Sequence, residues 1–232
     1  MRANIEERET VWNIGRRYKM LHQFVTQVYT GPGKCKTTAA LGLALRAMGA
    51  EWKVGIFQFL KGDNSINYGE LIASKRFTDL LTIYQSHNTP KIVLECNKTK
   101  EDERLVNDLW DKMEGVLFDP ATYQWTEQFD MIIMDEILPT LCMKLITQKK
   151  FFEFHDRMQG KAEIVYTGRI WDETIYDRIK NISDLMTDGR CIKHYLNKHC
   201  PACKREFEYR SNYCPNCGRE LITVPARPGI EY

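Results

Sequence analysis

The sequence predicts a three-layer α/β domain in which helices cover both faces of a parallel β-sheet. Three observations carry this prediction. Short apolar runs alternate with amphipathic stretches at the spacing of β-α-β units. A loop rich in glycine and lysine separates the first strand from the first helix, and the apolar run 131–134 ends in two acids. Such alternation implies right-handed crossovers and therefore parallel neighbouring strands.

The individual elements follow from the pattern of apolar residues. Apolar runs rich in β-branched and aromatic residues predict strands, and apolar residues at helical spacing predict the helices between them. Residues 1–20 form a charged amphipathic segment that precedes the first strand and predicts a helix. The predicted strands are 24–29, 54–60, 82–84, 131–134 and 163–167, and the predicted helices are 36–48, a short one after Gly69-Glu70, 101–117, 138–146, 150–158 and 173–179.

Length and charge bound the organisation of the chain. At 232 residues it accommodates one sizeable α/β domain and a small appendage. We expect an N-terminal helical segment over 1–23, a nucleotide-binding domain over 24–196, a small insertion over 197–222 and a tail over 223–232. The net charge of +2 argues against a nucleic-acid partner. The charged N-terminus and the lack of an apolar run of about 18 residues predict a cytoplasmic protein without a membrane anchor.

The loop after the first strand has the composition of a phosphate-binding loop. Glycines let backbone N–H groups turn toward an anion, and the N-terminus of the following helix adds a partial positive charge. Lys36 is placed to reach the terminal phosphates, and the hydroxyl of Thr37 is placed to ligate Mg²⁺. The sequence therefore predicts a P-loop NTPase-like domain whose nucleotide site includes Gly31, Pro32, Gly33, Lys34, Cys35, Lys36 and Thr37.

The loop departs from the usual pattern G-x-x-x-x-G-K-[ST] at both glycine positions. Thr30 stands at the first, and Cys35 stands directly before the lysine. We expect Cys35 to be held at positive φ, at a cost on the order of 1 kcal/mol, and Pro32 removes one N–H that a phosphate would use. A glycine- and lysine-rich turn without a ligand is the alternative for the loop. For Cys35 the alternatives are a reactive thiol activated by Lys36 and the helix N-terminus, or a tolerated loop residue.

A second group of polar residues follows the other predicted strands. Asp135 and Glu136 come directly after the apolar run 131–134, where they would bind Mg²⁺ together with Thr37. Gln58 and Lys61 end the second strand and would face a phosphate or a second substrate. Arg169 follows a later strand and is a candidate phosphate or ribose contact. A solvated strand end is the alternative for Gln58 and Lys61, and a chance occurrence of two acids after an apolar strand is the alternative for Asp135 and Glu136.

Four of the eight cysteines form two C-x-x-C pairs near the C-terminus. Cys200 and Cys203 are followed after ten residues by Cys214 and Cys217, which is the ligand spacing of a zinc ribbon. Four thiolates close the coordination shell, so the predicted Zn²⁺ is structural, and rubredoxin-like iron is the alternative. The four scattered cysteines suit a reducing compartment.

Taken together, these motifs resemble the P-loop type ATP:corrinoid adenosyltransferases. The resemblance rests on Thr30 to Ala47, Val54 to Gly62, Gly69-Glu70, Met134-Asp135-Glu136, Thr167-Gly168-Arg169, Lys193-His194 and the terminal Gly229-Ile230-Glu231-Tyr232. It implies transfer of the 5′-deoxyadenosyl group of ATP to a Co(I) corrinoid with release of triphosphate. It also implies a homodimer, a corrinoid-reducing protein as a further partner, and Thr38 and Glu70 as further nucleotide-site residues.

The chain departs from the family pattern in three places. Pro32 and Cys35 replace the asparagine and third glycine of the usual G-N-G-K-G-K-T loop, which predicts weaker or differently placed ATP. Residues 84–92 contain no Phe or Trp where the family has an aromatic corrin-contacting segment. The cysteine-rich insertion is the third departure. Two alternatives follow: a nucleotide-binding protein or NTPase that no longer handles corrinoids, or an inactive domain that carries a zinc-ribbon interaction module.

Overall fold

The computed structural model describes residues 23–62, 68–76, 79–86, 93, 95–190, 198–203, 206–207 and 222–223. The helix expected over residues 1–20 lies outside this part of the chain. The chain divides into two compact units, Met1–Gly189 and Arg190–Tyr232.

The first unit is built on a six-stranded sheet in which every neighbouring pair is parallel. In the order β3-β2-β4-β5-β1-β6, the three strands β2, β4 and β5 are buried at every position, which explains their continuous apolar runs. The strands are β1 Thr26–Thr30, β2 Val54–Gln58, β3 Leu81–Gln85, β4 Met131–Asp135, β5 Glu163–Thr167 and β6 Leu185–Asp188. The first five were predicted, within two residues at each end. The sixth was missed because it is a short and largely exposed edge strand without an apolar pattern.

Helices cover both faces of the sheet and make the fold three layers thick. Alternate residues of β4 divide between the layers: Ile132 and Met134 join a core that includes Trp110 and Phe154, while Ile133 packs toward Ala44 in a second cluster. The helices are α1 Lys36–Gly49, α2 Gly69–Ser74, α3 Lys100–Leu117, α4 Ile137–Cys142, α5 Gln148–Met158 and α6 Glu173–Ile182. No helix in the described part of the chain is long and apolar enough to cross a membrane.

One helix boundary differs clearly from the prediction. The helix expected over 138–146 ends at Cys142, because Lys144 adopts the left-handed conformation at φ 59°. The N–H groups of Lys144 and Leu145 then donate to the carbonyls of Leu141 and Thr140, and these hydrogen bonds close the last turn. The apolar pattern in the sequence does not show where this helix ends, because Leu145 and Ile146 continue the pattern and are buried although they lie after the helix.

The C-terminal unit contains three two-residue antiparallel strands in the order β8-β7-β9. They are β7 Lys198–His199, β8 Glu206–Phe207 and β9 Ile222–Thr223. Cys200 follows β7 and is fully buried, and its Sγ accepts a hydrogen bond from the N–H of Cys203 at 3.3 Å. Cys214 and Cys217 lie outside the described residues. Within the described residues, no three His, Cys, Asp or Glu side chains gather into a metal-binding group.

Candidate functional site

The site lies at the carboxyl edge of the six-stranded sheet. Each of the six parallel strands ends there in a polar residue, and this edge is where open α/β sheets bind their ligands. In the order of the sheet these residues are Gln85, Gln58, Asp135, Thr167, Thr30 and Asp188.

The loop between β1 and α1 has a fixed conformation that depends on two glycines. Gly31 has φ 94°, and a Cβ at this position would overlap Oδ1 of Asp188 and lie 2.6 Å from the carbonyl oxygen of Gly189. Gly189 also holds the loop through two backbone hydrogen bonds: its N–H donates to the carbonyl of Thr30 at 2.9 Å, and its carbonyl accepts from the N–H of Gly33 at 2.7 Å. The segment that follows β6 therefore supports the phosphate-loop backbone.

Cys35 does not strain the loop, contrary to the expectation from the sequence. Its backbone has φ −89° and ψ −18°, which is an ordinary right-handed conformation for any residue. Its exposed side chain lies against Gly189 and makes no capping hydrogen bond to α1. The first turn of α1 contains no acid, so its N–H groups and the positive end of the helix dipole face the loop without a side-chain anion from that turn.

Lys36 fills the inside of the loop. Its side chain is buried, and its Nζ donates to the carbonyl of Gly33 at 2.6 Å and to that of Gly31 at 3.1 Å. Burial lowers the pKa of Lys36. Arg169 reaches the same loop and donates to the carbonyl of Pro32 at 3.3 Å. Two of the cations predicted to contact phosphates therefore lie against the loop, and Lys34 and Thr38 lie exposed beside it.

Asp135 is the centre of the site. Its side chain is 1% exposed, yet it accepts four hydrogen bonds from the surrounding elements. Oδ1 accepts from the hydroxyls of Thr37 at 2.9 Å and Thr167 at 2.6 Å. Oδ2 accepts from Nζ of Lys61 at 2.7 Å and Nε2 of Gln58 at 3.3 Å. Thr37 and Asp135, which the sequence predicts as ligands of one Mg²⁺, are thus joined by a direct hydrogen bond.

Lys61 reaches Asp135 because the chain turns sharply after β2. Leu60 adopts a left-handed conformation at φ 57°, and its N–H donates to Oγ of Ser86 at 3.0 Å. Nζ of Lys61 also donates to Oγ1 of Thr37 at 2.9 Å. Burial alone would lower the pKa of Lys61, but the negative charges of Asp135 and Glu136 outweigh it and raise that pKa. The ammonium therefore stays charged in the site.

Glu136 continues β4 in a strained conformation. Its φ of 58° is left-handed, which costs a non-glycine residue roughly 1 kcal/mol, and its N–H donates to Oγ1 of Thr167 at 2.9 Å. Burial, and then the neighbouring charge of Asp135, raise the pKa of Glu136. Two adjacent carboxyl groups thus face a site that already contains Lys36 and Lys61.

A chain of amides extends the site along the sheet edge. Gln58 is fully buried and donates to both Asp135 and Oε1 of Glu70, the latter at 3.1 Å. Nε2 of Gln85 donates to Oε1 of Gln58 at 2.8 Å. Sequence reasoning did not assign a role to Gln85 or to the hydroxyl of Thr167. Gln85 and Thr167 are each the last residue of a strand, and this position at the sheet edge is the feature of the sequence that could have identified them.

Several known proteins are similar to this chain in sequence. The chain is 27% identical over 173 residues to the corrinoid adenosyltransferase CobA of Salmonella typhimurium, covering 72% of this chain and 76% of that protein. It is 25% identical over 169 residues to the corrinoid adenosyltransferase of Escherichia coli K12, with 72% and 76% covered. It is also 25% identical over 178 residues to an uncharacterized protein of Nostoc sp., where the match covers 74% of this chain and spans 45% of the relative.

The family to which the chain belongs follows from a longer match. The profile of the ATP:corrinoid adenosyltransferase family BtuR/CobO/CobP matches residues 22–208. This range contains the phosphate-binding loop, the polar sheet edge and Cys200 and Cys203, whereas Cys214 and Cys217 lie beyond it. The chain therefore belongs to the ATP:corrinoid adenosyltransferase family.

Proposed function

We propose that this protein transfers the 5′-deoxyadenosyl group of ATP to the Co(I) centre of a corrinoid and releases triphosphate. The observation that carries the proposal is a direct contact between the loop after β1 and the acid at the end of β4, in a chain that belongs to this family. The Thr37 hydroxyl at the start of α1 is bonded to Asp135 at the end of β4, and Lys36 lies inside the loop between them. Together these residues supply the donors and the cation ligands that a triphosphate requires.

The reaction places few chemical demands on the protein. An electron pair of Co(I) forms the bond to the C5′ carbon of the ribose, and the bond from C5′ to the phosphate oxygen breaks with its electron pair leaving on triphosphate. Co(I) is already a strong nucleophile, so the attacking atom needs no general base. The protein must orient C5′ and stabilise a highly charged leaving group.

The described residues suit the second task. In this proposal, backbone N–H groups of the loop and the ammonium groups of Lys34 and Lys36 bind phosphate oxygens, with Arg169 at the rim. We assign Gln58 and Glu70, on the other side of Asp135, to the remaining part of the nucleotide or to the second substrate.

The oxygen donors around Asp135 fit a magnesium ion. Thr37 offers a hydroxyl, and Asp135 and Glu136 offer carboxylates, which are the hard oxygen ligands that Mg²⁺ prefers. When bound, Mg²⁺ would neutralise part of the triphosphate charge. We therefore propose Thr37, Asp135 and Glu136 as its ligands.

The proposal predicts ATP-dependent conversion of reduced cobalamin to adenosylcobalamin. Under strict anaerobic reduction, the absorption spectrum should change from that of cob(I)alamin to that of adenosylcobalamin only when ATP and Mg²⁺ are present. Lys36→Met should lower kcat/KM by roughly 100-fold or more, because it removes a positive charge directed at the leaving group. Lys180→Met, the same change on the exposed surface of α6, should leave the rate unchanged.

Calorimetry together with this assay tests the main alternative, a nucleotide-binding protein that does not handle corrinoids. Two features favour that alternative. The loop carries Pro32 and Cys35, and the ring of Tyr84, in the segment where the family has its corrin-contacting aromatic residues, stacks on Phe57 with ring centroids 5.0 Å apart. If calorimetry shows tight ATP binding while cobalamin remains unconverted and unbound, the protein is a nucleotide-binding protein or NTPase on this scaffold.

We further propose that the C-terminal unit is a zinc ribbon, with Cys200, Cys203, Cys214 and Cys217 as the ligands of a structural Zn²⁺. The N–H of Cys203 donates to Sγ of the buried Cys200, a contact that would stabilise a thiolate. Three two-residue strands form a very small sheet, and a unit of this size usually needs a metal or disulfides to fold. The C-x-x-C spacing and the thiolate chemistry both favour zinc.

Metal analysis tests the ribbon. Purified protein should contain about one zinc ion per chain, and Cys200→Ser should lose most of it, because three thiolates leave one tetrahedral position open and hold the ion more weakly than four. Cys96→Ser, an exposed cysteine of the first unit, should keep the zinc. Iron in place of zinc would identify a rubredoxin-like centre, and protein without either metal would contradict the ribbon.

Three further properties are proposed by analogy with the family. We expect a homodimer in which residues 1–20 help to close the corrinoid site, a corrinoid-reducing protein as the source of electrons, and a cytoplasmic location. The domain limits 24–196, 197–222 and 223–232 belong to the same proposal. Light scattering of the purified chain would measure the oligomeric state directly.

A further inference from the structure

Lys61 lies where a cation bound by the proposed Mg²⁺ ligands would lie. Its Nζ is 2.7 Å from Oδ2 of Asp135 and 2.9 Å from Oγ1 of Thr37. These two side chains belong to the magnesium site proposed above. A magnesium ion needs its ligand oxygens at about 2.0 to 2.1 Å in octahedral geometry. An ammonium group held between the same two side chains leaves no room for the ion.

The charge balance explains why Lys61 lies there. The carboxylate of Asp135 is almost fully buried, and a buried charge without a counter-ion is costly. Three of the four groups that donate to it are neutral: the hydroxyls of Thr37 and Thr167 and the amide of Gln58. Lys61 is the one that carries a positive charge. Its side chain is 20% exposed and ends a flexible four-carbon stem, so it has a route out of the site.

We infer that Lys61 acts as a stand-in cation that neutralises Asp135 before the nucleotide arrives and is displaced when Mg²⁺ binds. This inference rests on the magnesium site of the proposed function. Magnesium alone must break the ion pair and separate the ammonium from the carboxylate that holds it. A nucleotide with its triphosphate provides that anion at the adjacent loop. Lys61 therefore makes metal binding depend on the nucleotide.

The test measures metal binding without nucleotide or corrinoid. Mn²⁺ serves as the paramagnetic probe for the magnesium site, and free Mn²⁺ is counted by electron paramagnetic resonance during titration. Lys61→Met removes the competing ammonium and should tighten Mn²⁺ binding at least tenfold. Lys61→Arg keeps a competing cation and should bind as weakly as the wild type. Lys180→Met, a matched change on exposed α6, should also bind like the wild type.

A second substitution ties the gain to Asp135. In the double variant Lys61→Met with Asp135→Asn, the tightened binding should disappear, because the carboxylate that attracts the metal has gone. Circular dichroism establishes that each variant is folded, and Lys61→Gln replaces Lys61→Met if the latter does not fold. Mn²⁺ affinity in the neutral variants equal to or weaker than that of the wild type would overturn the inference.

The outcomes also separate this inference from the proposed function. If Lys61→Met binds Mn²⁺ more tightly but the wild type shows no adenosyl transfer, the cation exchange stands and the corrinoid reaction is wrong. If no variant binds Mn²⁺, with or without ATP, both the exchange and the proposed metal site are wrong.

Discussion

Gly31→Ala is expected to destabilise the protein by about 2 to 3 kcal/mol and to weaken ATP binding by roughly 100-fold. Gly31 has φ 94°, where a Cβ is strained in any surroundings, and the added carbon would meet Asp188 and the backbone of Gly189. Backbone cannot move aside as a flexible side chain can. The loop must therefore separate from the segment after β6, and the N–H groups that we propose to surround the phosphates lose their arrangement.

The chain offers a matched control for this change. Gly42 lies within α1, and a Cβ added there meets no atom within 4 Å. Gly42→Ala should therefore stabilise the protein by about 0.5 to 1 kcal/mol through its higher helix propensity, with ATP affinity unchanged. Urea unfolding measures both stabilities, and calorimetric titration with ATP and Mg²⁺ measures the affinities. A Gly31→Ala protein with the stability and affinity of the wild type would show that the loop does not depend on this backbone conformation.

The sequence predicts the part of the site that lies at the carboxyl ends of the strands. Parallel strands deliver their last residues to one edge, so the order of elements alone brings Asp135, Gln58 and Arg169 near the phosphate loop. Thr37 and Asp135, which the sequence predicts as ligands of one Mg²⁺, lie in direct hydrogen-bond contact, and their metal binding stays a prediction. Such predictions succeed because they rest on topology, which the alternation of apolar runs specifies.

Contacts that depend on backbone angles were not predictable in the same way. Cys35 was expected at positive φ by comparison with a glycine pattern, whereas Gly31 takes the left-handed conformation and Cys35 begins the helix normally. The support from Gly189 comes from a segment more than 150 residues away, after an edge strand with no apolar signal. Lys61 reaches Asp135 only because Leu60 turns the chain at φ 57°. Neither the helical angles of Cys35 nor the left-handed turn at Leu60 leaves a mark in residue type.

Asp135→Asn is expected to cost about 2 to 3 kcal/mol of stability and to abolish metal-dependent activity. The amide has one acceptor oxygen where the carboxylate has two. If that oxygen accepts from Thr37 and Thr167, the NH₂ group faces Lys61 and Gln58, which are both donors. The cost stays below that of breaking a fully buried ion pair, because Lys61 can turn toward water from its 20% exposed position.

Asp130→Asn is the control for this change, at the opposite end of the same strand. Asp130 is only partly buried, and an asparagine oxygen can also accept its exposed hydrogen bond from the N–H of Lys53, so the cost should stay well below that of Asp135→Asn. The pH dependence gives a second test. The pKa of Lys61 is raised above its ordinary 10.5, so the ion pair contributes fully below pH 10.5 and is lost only as the pH rises through the higher folded-state value. In a Glu136→Gln background, which removes the neighbouring carboxyl whose pKa burial and Asp135 raise, the stability difference that Asp135→Asn causes should therefore be the same at pH 7 and pH 9. A difference that already shrinks over this range would mean that Lys61 is not the charge that stabilises Asp135.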